Sequence, residues 1–370
     1  MKYIRQNGFS LVELMVALTM GLILLAGTMA IYMSQLQNYK TVSAQGSIQD
    51  EENAISGLLI PAIRSAGFFG CSSGALTTWQ LAAGAPPPLG VPIIPNTSRD
   101  IVMGYDYTGT SGSGSAYTIA ADNAANDPSA ANWSPTLTPS LLGAVASGSD
   151  VLITLGAASK SQPVGVSSPA PYSASLHVND ASGFQAGQFG AISDCGKADV
   201  FQVIGPATAS APGTPGVIVI KPNLGNVLYS SSAQVIPVQE NAFFVAQGQG
   251  GESVLMQATL QESMGGSYSW ITSGTPAIIG VPLVPGVETM QVLYGIGANG
   301  VATQYVPAGA VTNWLLVDTV RIGFLLEGRP GSAGVGQNRN YTVLGTTFTV
   351  PADTRIRHVF EITINMRNAS

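Results

Sequence analysis

The sequence predicts an α+β fold: a long N-terminal helix, membrane-spanning over its first half, packed against an antiparallel β-sheet domain. Three observations carry that prediction. A charge-free apolar run follows a basic N-terminus, an amphipathic helical stripe continues it, and the C-terminal half holds three long runs of two-residue alternation.

The apolar run extends from Leu14 to Met33, 20 residues without a charge. At about 1.5 Å per residue, a helix of that length matches the ~30 Å hydrocarbon core of a bilayer. Lys2 and Arg5 precede it and the next cation is Lys40. The positive-inside bias therefore puts the N-terminus in the cytoplasm and everything after about residue 34 outside. A cleaved secretory signal has a shorter apolar core than this. Glu13 stands just ahead of the run. An acid in an apolar segment costs on the order of 2.5–3.5 kcal/mol, and such residues mark function.

Past Met33 the pattern becomes amphipathic. Leu36, Tyr39 and Val42, then Ile48, Ile55, Leu59 and Ala62, follow helical spacings. Asp50, Glu51 and Glu52 are assigned to the solvated side. One helix is expected from Phe9 to about Ser65, ending near Gly67. Gly46 and Gly57 weaken it, and Pro61 should kink it or end it early. Two helices with a break near Gly57–Pro61 are the alternative.

The stretch from Cys71 to Gly148 reads mostly as loop, with Pro86-Pro87-Pro88 and a Ser/Gly tract near Thr110. The cluster Asp122 to Asp127 lacks the spacing of a calcium loop and reads as solvated. Strands are expected from Asp150 onward. The clearest alternations place Met290, Val292, Tyr294 and Ile296 on one face, then Val320, Ile322, Phe324 and Leu326, then Phe360, Ile362, Ile364 and Met366. Gln291, Arg321, Glu361, Thr363 and Asn365 occupy the opposite faces. One-sided burial of this kind fits an antiparallel sheet laid on a helix. The expected organisation is a leader over 1–8, the helix over 9–66, a loop-rich, divergent region with some strands over 67–198 and an antiparallel β region over 199–370. Whether the β region is one sheet or two subdomains stays open.

Composition narrows the function. Only 9% of the 370 residues are charged and the net charge is −6. With no basic patch, nucleic acid is not an expected partner. A hydrophobic content of 45% in short runs argues against disorder. Cys71 and Cys195 form no CxxC pair, and an even count in an exported chain suggests one disulfide, with two separate thiols as the alternative. No Gly-x-Ser-x-Gly elbow, phosphate-binding loop or HExxH motif occurs, and the only histidines are His177 and His358. No catalytic residue, metal site or cofactor is assigned.

The segment Gly8-Phe9-Ser10-Leu11-Val12-Glu13 resembles the processing motif of type IV prepilins. The resemblance implies cleavage by the prepilin peptidase between Gly8 and Phe9, N-methylation of Phe9, and Glu13 as the fifth mature residue, the acid that docks a subunit into a filament. Physically, Glu13 can pair with the new α-amino cation of a neighbouring subunit or of its own chain, or it can snorkel to the interface. Further segments resemble the PilW family of minor pilins: Ala66-Gly67-Phe68-Phe69-Gly70-Cys71, Asp194-Cys195 with Ala198 to Val203, Gly286 to Tyr294, Trp314 with Val317 to Ile322, and Arg357 to Asn368. That resemblance implies a type IV pilin-like fold and a subunit that helps initiate a pilus at or near its tip, where it can support the display of an adhesin. Its partners would be other minor pilins, the major pilin and the inner membrane before assembly. It also places Cys71 and Cys195 where the family has its cysteines. J-type pseudopilins of type II secretion are the nearest competing family. A membrane-anchored β-rich binding domain is the alternative outside filaments.

Overall fold

One α-helix, Leu11–Arg64, runs for 54 residues in the computed structural model. At 1.5 Å per residue it is about 80 Å long. The structure describes residues 10–69, 77–79, 101–109, 116–119, 126–158, 164–166, 175–194, 198–205, 211–221, 229–248, 251–262, 268–273, 278–298, 301–333, 336 and 339–366. Gly8, Phe9, Cys71 and Cys195 lie outside the described residues, as does the whole tract from 80 to 100.

Pro61 neither breaks nor ends the helix at its own position; the helix continues to Arg64. A proline removes one donor and crowds the carbonyl four residues earlier. Here that carbonyl belongs to Gly57, an exposed position with no atom near its Cα hydrogens, so water can satisfy it. The helix closes one turn later, where the Ser65 amide donates to the Pro61 carbonyl at 2.9 Å.

The buried helical stripe is Ala44, Ile48, Ile55, Leu59 and Ile63. Leu36, Tyr39 and Val42, expected to share it, are exposed. The reason is geometric: the helix meets the β body only from about Gln37 onward, so these side chains belong to its free half or its outer face. Glu51 and Glu52 are also corrected. They are half-buried and turned toward the sheet, and of the three acids only Asp50 is exposed.

The helix packs on a four-stranded antiparallel sheet ordered Val301–Val306, Val287–Ala298, Val317–Glu327, Arg357–Asn365. Its register pairs Met290 with Phe324, Val292 with Ile322 and Tyr294 with Val320, then Val320 with Ile364 and Phe324 with Phe360. These are the residues whose alternation was legible in the sequence. The opposite face departs from expectation. Gln291 is 5% exposed and its amide donates to the Gly148 carbonyl at 3.0 Å. Leu325 is covered by the hairpin Arg339–Val343 and Thr346–Val350, which builds a small core with Ile119, Val343, Phe348 and Val350.

A larger mixed sheet lies beside this one. Its path runs Trp133–Ser134, Val102–Tyr107, Val151–Ala157, Gln234–Gln247, Phe189–Ser193, Ala198–Gly205, Gly216–Lys221, Ser175–Val178. The strand Gln234–Gln247 is its hinge point. Residues 234–238 pair with Phe189–Ser193, whereas residues 241–247 pair with Ser253–Thr259. The main core thus runs from the helix through both sheets. A second core around Phe184, Phe201, Ile218 and Val235 forms at the far end.

The strand Val102–Tyr107 corrects the expectation that strands begin at Asp150. Gly104 and Asp106 hide it from a β-propensity reading. Gly104 is needed because a Cβ there would lie 1.9 Å from the Tyr294 hydroxyl. Asp150 joins the two sheets: its carboxylate accepts the Tyr107 and Val292 amides, each at 2.8 Å. Burial, with Asp106 nearby, holds its pKa well above the usual carboxylate range. Asp127 is likewise no solvated loop residue. It is 7% exposed and accepts from the Tyr107 hydroxyl, the Asn132 amide and the Ser129 backbone.

Candidate assembly site

The helix divides into two functional halves. From Leu11 to Met33 every residue is exposed, and its window of strongest hydropathy has no part buried in the fold. A surface carrying Leu11, Leu14, Leu18, Leu22, Ile23 and Leu25 in the open has no place in water. It is long and apolar enough to cross a membrane. Within it, Thr19 and Thr28 donate their hydroxyls to the carbonyls of Val16 and Leu25, each at 2.9 Å, so neither adds an unsatisfied polar group. Glu13 is exposed and makes no hydrogen bond or ion pair with the described residues.

The second half is held by a graded set of contacts. At the point of departure, the Gln37 amide donates to the Gly331 and Ser332 carbonyls, and the Thr41 hydroxyl donates to Ser332 at 2.7 Å. Ala44 then packs over Gly328, where any Cβ would come within 3.1 Å of it. Ile55, Leu59 and Ile63 are fully buried, and truncating any one to alanine should cost about 2–5 kcal/mol. At the end, the Gly67 amide donates to Leu155 and Ala66 bridges to Gly156. Gly156 is obligatory, because a Cβ would lie 2.4 Å from the Ser65 carbonyl oxygen.

Ionic groups line this junction. Arg357, with its side chain 2% exposed, binds Glu288 through Nε and Nη2 at 2.7 and 2.8 Å and Asp353 through Nη1 and Nη2 at 2.7 Å each. Arg355 pairs with Glu327 at 2.6 Å. From the helix side, Glu52 meets His358 Nδ1 at 2.6 Å, and Glu51 sits against Gly286. Burial pushes Glu51 up to about 7, only partly offset by the Ser47 hydroxyl. Burial and the adjacent Glu288 push Glu327 up to about 8, against the pull of Arg355 and Arg357. Among the described residues, no group of three or more His, Cys, Asp or Glu is arranged to hold a metal.

Sequence reasoning singled out Glu13 in this region and missed the junction. Its components are spread from Gln37 to His358, and only the fold brings them together. The available signals were weak: consecutive acids at 50–52 on a helix, and Arg355 and Arg357 opening a strand.

These features define a class: an apolar N-terminal helix carrying a β domain, as in type IV prepilins. The family model described as the prokaryotic N-terminal methylation motif matches residues 4–29. A second, described as Type IV Pilus-assembly protein W, matches residues 242–368, which include the sheet under the helix and the Arg357 network. The chain is thus similar to the PilW minor pilins over its last third and to prepilins at its N-terminus. Among solved structures, a type IV-like pilin from Thermus thermophilus is similar at a TM-score of 0.24 and 14% identity, over 52% of this chain and 89% of that one. A search of curated proteins found no match. The prepilin motif implies processing by the prepilin peptidase and assembly with other pilins.

Proposed function

We propose that this chain is cut between Gly8 and Phe9, N-methylated on Phe9, and built into a type IV pilus as an assembly-initiating subunit at or near the tip. Before assembly it sits in the inner membrane with the β body in the periplasm. One observation carries this reading: a single unbroken helix leaves an apolar, wholly exposed half outside a body that firmly holds its other half. Such a half needs a lipid or helical environment, and a bundle of pilin helices supplies one after extraction from the bilayer. Glu13, with no partner in its own described chain, pairs with the α-amino group of a neighbouring Phe9 within that bundle. The size of the body favours a few copies at one end of a fibre over tiling its length. A tip position also lets the loops of the region over 67–198 support an adhesin.

Cys71 and Cys195 are proposed to form a disulfide. The parallel register of Thr77 with Ala198 supports it, since the two cysteines lie six and three residues ahead of paired positions. In the chain-entropy account, closing so long a loop is worth roughly 4–5 kcal/mol.

The test is Glu13→Ala in the native host. Sheared surface fibres should lose the subunit while the membrane retains it. Fibres that incorporate the variant as well as the native chain would contradict the docking role.

A further inference from the structure

Between the docked half of the helix and the last strand lies a cleft of about 530 Å3, a size typical of ligand sites. Its walls come from three distant parts of the chain: Gln45, Ile48 and Gln49 on the helix, Arg339 and Tyr341 on the hairpin, and the segment from Asp353 to His358. Its floor is rigid, because Arg357 is clamped by Glu288 and Asp353.

The hydrogen-bonding capacity of the cleft is unbalanced. Its acids are spent: Glu52 on His358, and Asp353 on Arg357. Several donors are not. Among the described residues, Arg339 makes no ion pair and the Tyr341 hydroxyl makes no hydrogen bond. The amides of Gln45 and Gln49, one helical turn apart on the same face, also find no partner among the described residues. A concave surface with unspent donors, a free guanidinium and engaged acids is complementary to an anionic acceptor.

We propose that this cleft binds a carboxylate presented by an extended acidic peptide segment of a partner protein. Arg339 forks onto the two carboxylate oxygens, the geometry guanidinium favours. Tyr341 and Gln49 donate to the remaining lone pairs, and Ile48 and Val350 receive the methylenes of the side chain. The assignment goes beyond filament entry and holds whether or not the chain enters a fibre.

The test uses the full chain in detergent micelles and fluorescence polarisation of a labelled Gly-Glu-Gly-Glu-Gly peptide. Binding should weaken several-fold between low and high salt, and the Gln-for-Glu peptide should bind about ten-fold more weakly or worse. Arg339→Glu should lose about ten-fold or more, and Arg339→Gln an intermediate amount. Arg329→Glu makes the same charge change at an exposed arginine outside the cleft and should leave affinity unchanged. Thermal unfolding of each variant confirms its fold. The proposal is overturned if the native chain does not bind the acidic peptide, or if it binds the Gln peptide equally well. Equal losses in the Arg339 and Arg329 variants would overturn it too. So would free glutarate binding as tightly as the peptide, which would assign the cleft to small carboxylates.

Discussion

Arg357→Gln should be among the most damaging single substitutions outside the apolar core. The native guanidinium makes four hydrogen bonds to two carboxylates, all between 2.7 and 2.8 Å, and its side chain is 2% exposed. Glu288 is almost equally buried, at 4%. Removing one partner of a buried ion pair strands the other's charge, which costs about 3–5 kcal/mol. Glutamine can restore at most part of the hydrogen bonding and none of the charge. Lysine keeps the charge but not the fork, so Arg357→Lys should lose less, about 1–3 kcal/mol. The mechanism also predicts a pH signature. Asp353, held below the ordinary carboxylate range with the help of Arg357, loses that pull in Arg357→Gln, so the folded variant takes up a proton at higher pH than the native fold does. The gap to the native chain should therefore narrow as the pH falls into the carboxylate range. Urea titrations of the detergent-solubilised chain, followed by tryptophan fluorescence, read both quantities. A loss below about 1 kcal/mol, or a gap independent of pH, would refute the reasoning.

Three further outcomes follow from the two halves of the helix. Glu51 and Glu327 have folded pKa values of about 7 and about 8, above their ordinary 4.5. The folded state therefore holds protons that the unfolded state has released, and stability should fall as the pH rises from about 4.5 through 8. Glu51→Gln should flatten the lower part of that fall by about 1 kcal/mol, after allowing for solvent on the exposed side of the carboxyl; a pH series of melting points checks it. Gly156→Val drives a side chain into the Ser65 carbonyl, a backbone atom that cannot swing away. It should cost about 1–3 kcal/mol and expose the 64–69 segment to limited proteolysis, and an unchanged cleavage pattern would show that the helix end is not locked there. Glu13→Ala, by contrast, should leave urea stability within about 0.5 kcal/mol of native, because Glu13 is exposed and contacts nothing in its own described chain.

What was legible in the sequence follows from how locally each feature is encoded. The helix announces itself through an uninterrupted apolar run and a periodic stripe, and the sheet beneath it through Met290 to Tyr294, Val320 to Leu326 and Ile364. In these strands large apolar residues alternate with small or polar ones, which leaves a period in the sequence even though the fold buries both faces of the two central strands. Val102–Tyr107 is buried over its first four residues on both faces and contains a glycine demanded by a distant tyrosine, so it leaves none. The point where the helix leaves the body was also invisible. It is set by carbonyls at 331 and 332, some 290 residues from Gln37 and Thr41. The same holds for Glu51 and Glu52, which look like ordinary solvated acids until the fold places Gly286 and His358 opposite them. The effect of Pro61 on the helix end was not legible either, because it depends on whether the carbonyl at Gly57 can reach water. The motif around Glu13 remained readable because its meaning lies in processing and assembly, which act on local sequence.

The most direct test of the account is mass spectrometry of the N-terminus of the protein purified from its native membrane. The account predicts a mature chain that begins at N-methylated Phe9. A chain still beginning at Met1 in cells with an active prepilin peptidase would contradict it, as would one cut near Ala30 at the far end of the apolar run.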